Sequence, residues 1–69
     1  MAEYLIVIER AKRNFAAYSP DVPGCVATGV TRKKAESNFR EALRMHLEGL
    51  RAEGYPIPKP TASVARVAI

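Results

Sequence analysis

The sequence has no tryptophan, a single cysteine (Cys25), a single histidine (His46) and no apolar run longer than the five residues Tyr4 to Ile8. One cysteine cannot close a disulfide within the chain. One Cys and one His are too few to ligate a structural zinc, so no metal site is expected, and nothing in the composition calls for a cofactor. The apolar run is too short for a signal-peptide core or a membrane span, and acidic residues flank it. A lone thiol fits a reducing compartment, so a cytoplasmic protein without membrane contact is expected.

What is present is a chain of 69 residues, enough for one domain over residues 1–69. A domain this small buries only about 60% of the surface its unfolded form exposes. With disulfide and metal set aside, self-association into a dimer or tetramer is the remaining way to secure the core. The net charge is +4. Residues 1–30 balance Arg10, Lys12 and Arg13 against Glu3, Glu9 and Asp21, whereas residues 31–53 carry six basic groups against four acidic ones. Such an excess can favour nucleic acid. No aromatic residue interleaves with the basic ones in sequence, which favours a solvated mixed-charge surface.

Residues 3–9 are rich in β-branched and aromatic side chains and read as a strand. Tyr4, Ile6 and Ile8 mark one face, Leu5 and Val7 the other, so the strand requires cover on both sides. After a polar turn, Asn14 to Tyr18 reads as a second strand and Cys25 to Thr28 as a third, ended by Gly29. Between them, Ser19 to Gly24 is a stiff loop in which Pro20 and Pro23 fix φ and Gly24 can take values other residues avoid. Thr31 is placed to cap a helix running to about Glu53, with an apolar stripe of Ala35, Phe39, Ala42, Leu43, Leu47 and Leu50. Gly54 suits a left-handed cap and Pro56 a stop. Pro56 to Pro60 forms an extended arm that leads to a last strand, Ser63 to Ile69, expected parallel to the first. The fold class is α+β, an antiparallel meander with one helix on one face, in the order β-β-β-α-β. The second face of the sheet is left to another subunit or a partner.

Few side chains suggest chemistry. Cys25 and His46 both border the layer between sheet and helix and could form a dyad. A free cysteine in a short strand is more often a small buried hydrophobe, and that reading is preferred. His46 is either a half-buried residue at the helix edge or part of a contact surface. Glu36 with Arg40, and Arg44 with Glu48, are solvated pairs worth a few tenths of a kcal/mol. Gly49, costly within a helix, is read as a point of close approach for the returning arm or another subunit.

The strands Tyr4 to Glu9 and Phe15 to Tyr18, the loop Pro20-Asp-Val-Pro-Gly-Cys25, Ala27-Thr-Gly29, Thr31-Arg32, the segment Glu41 to Leu50 and Gly54-Tyr-Pro-Ile-Pro58 together resemble the HicB-like antitoxin family. The resemblance covers residues 3–60. It implies a partial RNase H fold and the neutralising half of a toxin–antitoxin pair. The expected partner is a small HicA-type, mRNA-cleaving toxin, blocked by occlusion. No DNA-binding domain is expected after the last strand, unlike in many family members, and Lys33-Lys34 stand where those often have acids.

A nuclease of the RNase H type needs carboxylates converging from several elements. The last strand contributes Arg66 and no acid, so the chain is expected not to be an enzyme. The residues expected at a partner or subunit contact are Pro20, Asp21, Pro23, His46 and Arg66. The alternative function is RNA or DNA binding by a small oligomer through Arg32, Lys33, Lys34, Arg40 and Arg44.

Overall fold

The computed structural model describes residues 2–69. Three short strands, β1 (Val7–Arg10), β2 (Phe15–Tyr18) and β3 (Val26–Gly29), precede one long helix, α1 (Arg32–Ala52). The strands pair antiparallel in the order β1-β2-β3, as the meander requires. Cross-strand partners share a face. Ile8, Ala17 and Ala27 stand in one row, and Val7, Tyr18 and Val26 in the row on the opposite face.

The helix covers the first of these faces. Ala17, Val22, Cys25, Ala35 and Phe39 form the buried core, with Tyr4, Ile6, Ile8, Phe15, Ala27, Ala42 and Leu43 packed around it. Burying an aromatic side chain as fully as Phe39 contributes roughly 1.5–3 kcal/mol, so it anchors the helix on the sheet. Asn38 adds a hydrogen bond from its side-chain amide to the Thr28 carbonyl, 2.7 Å.

Both helix ends follow local rules. The Thr31 hydroxyl accepts from the Lys34 amide at 3.0 Å. At the other end Gly54 takes φ 76°. The Tyr55 amide reaches the Leu50 carbonyl and the Gly54 amide the Arg51 carbonyl, a Schellman closure. With 21 residues the helix is about 31 Å long, against about 13 Å for a four-residue strand, so its C-terminal part overhangs the sheet.

Three expectations need correction. Strand β1 starts at Val7 rather than at residue 3, because its partner β2 ends at Tyr18, opposite Val7. Beyond that point the chain turns into the Ser19 to Gly24 loop, and residues 3–6 have no strand to pair with. The fourth strand at Ser63 to Ile69 is not formed, so no parallel pairing with β1 exists. Residues 55–69 carry no regular element, and residues 63–69 are exposed throughout. Just before them the Asp21 carboxylate holds Thr61 and Ala62 beside the loop. Gly49 is no point of close approach for the returning arm, since nothing of the described chain lies within 4 Å of where its Cβ would stand. That role belongs to Gly29, where a Cβ would fall 2.4 Å from the Ala35 amide nitrogen.

Candidate functional site

Two surfaces are left open by this packing. The outer face of the sheet carries the row Val7, Tyr18 and Val26, with Val26 59% and Tyr18 39% exposed. No element of the described chain lies over it. The face that the sequence left to another molecule is therefore uncovered. Large apolar side chains grouped in this way mark an interaction surface more often than scattered ones do.

The second surface is a groove. The helix lies mainly over β3 and β2 and touches β1 least. Between the chain leading into β1 and the middle of the helix it leaves an open, mostly apolar groove of about 830 Å³, walled by Tyr4, Ile6, Phe39, Leu43 and Leu47.

The residues expected at a contact are only partly brought together. Pro20 and Pro23 are exposed in the loop and Arg66 in the tail. Asp21 is turned inward, onto its own chain. Its carboxylate accepts from the Thr61 hydroxyl at 2.9 Å, the Ala62 amide at 3.0 Å and the Thr61 amide at 3.2 Å. The Ala62 bond, with the two from Thr61, holds this carboxyl below the usual carboxylate range, against the desolvation that opposes them. The Tyr4 hydroxyl donates to the Pro58 carbonyl and makes a second tie to the same arm. His46 is half-buried beside Gly24, Cys25 and Met45, where the loop meets the helix.

The Cys25 thiol is buried, and burial pushes its pKa up, which keeps it protonated. No hydrogen bond joins it to His46 among the described residues. The pair lacks the geometry of a dyad.

The candidate nucleic-acid residues divide into two groups. Arg40 lies 3.9 Å from Glu36, and Arg44 pairs with Glu48 at 3.6 Å and with Glu41, so these arginines belong to exposed helix pairs. Arg32, Lys33 and Lys34 sit at the helix start, whose first turn holds no acid. There the guanidinium of Arg32 lies 5.5 Å, and that of Arg10 5.8 Å, from the centre of the Phe15 ring. An aromatic does therefore interleave with basic groups, contrary to the sequence expectation. Pairing of Arg10 with Phe15 and of Phe15 with Gly29 brings Arg10 and the helix start to the same ring.

Among the described residues no group of three His, Cys, Asp or Glu side chains is arranged to hold a metal ion. No helix is long and apolar enough to cross a membrane. The acids of the helix are instead exposed and spread along its length.

Sequence reading missed Val22, a loop residue only 1% exposed. It also missed Tyr4 as a tie and Phe15 as a shelf for two arginines. The apolar Val22 between two prolines was the one available signal.

Comparison with known proteins is consistent across sequence and structure. The profile of the HicB-like antitoxins of bacterial toxin–antitoxin systems matches residues 4–68. A protein from the rep-hol intergenic region of Haemophilus phage HP1 is 38% identical over 56 residues, covering 81% of this chain and 42% of that protein. The chain thus spans less than half the length of the phage relative. Two UPF0150 proteins are each 31% identical: one from Thermoplasma acidophilum over 61 residues (87% of this chain, 88% of the relative), one from Synechocystis over 67 residues (96% and 85%). A chain of the solved HicA3 and HicB3 toxin–antitoxin complex superposes with a TM-score of 0.74 at 37% identity, over 87% of this chain and 70% of that one. Three antiparallel strands backed by one helix, with a profile match over nearly the whole sequence, make this chain a member of the HicB-like antitoxin family.

Proposed function

We propose that this chain neutralises a small HicA-type, mRNA-cleaving toxin by docking on it through the uncovered face of the sheet and occluding its active site. The observation that carries the reading is the apolar row Val7, Tyr18 and Val26 on a face that no element of the described residues covers. The superposition on a chain from a toxin–antitoxin complex supports it. Binding, not turnover, is the task assigned to these residues. The interface centre would be Tyr18, a large amphipathic side chain of the type enriched at binding hot spots.

The test is co-expression with a small HicA-type toxin from the same genome, followed by affinity measurement. The expected result is a stable complex that Tyr18→Asp and Val26→Asp each weaken by at least about tenfold, a loss of about 1.4 kcal/mol. No complex with that protein, or two variants that bind as the parent does, would reject the reading.

Nucleic-acid binding has its own observation, the stacking of Arg10 and Arg32 on Phe15 at the end of the molecule that also carries Lys33 and Lys34. It requires an oligonucleotide complex that weakens steeply as salt rises. No shift of a labelled oligonucleotide at low salt would dismiss it.

A further inference from the structure

The outer edge of β1 is unpaired, since β1 is the end strand of the sheet. An edge of this kind presents free amide and carbonyl groups that invite another strand. Beside it lies the groove walled by Tyr4, Ile6, Phe39, Leu43 and Leu47. Elsewhere the same chain carries an unpaired segment of matching character. Residues 63–69 read Ser-Val-Ala-Arg-Val-Ala-Ile, free of acids and of proline. Val64 is 73% exposed, Val67 81% and Ile69 fully exposed, the largest exposures among the apolar side chains after Val30 is set aside.

The tail does not reach the groove of its own protomer. Its root is fixed by the bonds from Thr61 and Ala62 to Asp21, and by the Tyr4 hydroxyl on the Pro58 carbonyl. Pro56, Pro58 and Pro60 stiffen the arm before that root. Within the protomer residues 63–69 are exposed throughout and none of them lines the groove, so both surfaces stay open to a second copy.

We infer that two copies of this chain exchange tails, with residues 63–69 of each lying along the β1 edge of the other and filling its groove. Dimensions agree: seven extended residues span about 23 Å, and the eight residues from Glu3 to Arg10 about 26 Å. Charge agrees as well. Arg66 is the only charged side chain of residues 63–69, and Glu3 and Glu36 stand at the groove. Glu3 makes no salt bridge among the described residues, while Glu36 is only loosely paired with Arg40, at 3.9 Å. The exchange supplies the fourth strand that the sequence calls for and a single protomer lacks. An isologous pairing of this kind uses the same two surfaces on both subunits and closes as a dimer. It leaves the row Tyr18 and Val26 on the outer face free, and so does not depend on the toxin reading.

The test uses the intact chain without toxin. Light scattering gives the mass over a concentration series, and amide hydrogen exchange is followed at the same concentrations. The expected mass is twice 7.6 kDa. Protection of residues 3–10 and of residues 63–69 is expected to rise together with the dimer fraction. Val67→Asp, at an exposed position, should weaken the dimer at least about tenfold while helical circular dichroism is retained, and Val26→Asp should leave the dimer intact. A monomer at every concentration, a dimer that protects the tails without residues 3–10, or a dimer indifferent to Val67→Asp would each overturn the inference.

Discussion

Asp21 and Cys25 lie in the same loop region and respond to protons in opposite directions. The Asp21 carboxyl is held below its ordinary value of 3.8, first by the Ala62 amide and then by Thr61. A depressed carboxylate contributes its stabilisation fully above the unfolded-state value and loses it as pH falls through the folded-state value. The tie to residues 61–62 should therefore survive to below pH 3.8 and then release, with the helix still formed. Amide signals of Thr61 and Ala62 followed through an acid titration check this, and release at or above the ordinary carboxylate range would contradict it. Cys25 is the reverse case, a thiol kept protonated by burial. Alkylation of the native protein at neutral pH should be slow and should accelerate on unfolding, and rapid labelling would show an exposed thiolate instead. The inert thiol was readable from its sequence setting. The Asp21 tie was not, because its partner lies 40 residues away and no local pattern announces it.

The elements themselves were readable where their causes are local. Thr31, Gly54 and Pro56 mark the helix ends in sequence, and the structure places the caps at those positions. The glycines divide by what surrounds them, which sequence does not show. Gly29 lets β3 pass against the first turn of the helix, and an added methyl would strike the Ala35 amide and the Lys34 carbonyl carbon. Gly29→Ala should cost about 1–3 kcal/mol as an overpacked contact between backbones. Gly49, in the helix with open space around it, should gain up to about 1 kcal/mol when replaced by alanine. Urea denaturation of both variants reads the two signs, and equal effects would refute the placement of α1 on β3. The strand limits were less legible. Alternation over residues 3–9 gives the correct faces, with Tyr4, Ile6 and Ile8 inward, but pairing stops where β2 runs out.

For the molecule as a whole, size and patterning pointed to surfaces left for another molecule, and the structure leaves two surfaces open among the described residues. One helix covers one face. The other face keeps its apolar row, and the edge of β1 keeps its unpaired groups. The family was legible because its motifs are spread over residues 3–60, and the profile match over 4–68 bears this out. The roles of the surface residues were less legible. Asp21 serves the chain itself, and the outer-face row depends on a strand register that alternation alone does not fix. The central claim is neutralisation by occlusion, and it is read most directly from mRNA cleavage by a HicA-type toxin titrated with this chain. Cleavage should stop at a fixed stoichiometric ratio, and Tyr18→Asp should move that end point to a large excess. Cleavage that persists at every ratio, or that Tyr18→Asp inhibits as well as the parent chain does, would contradict it.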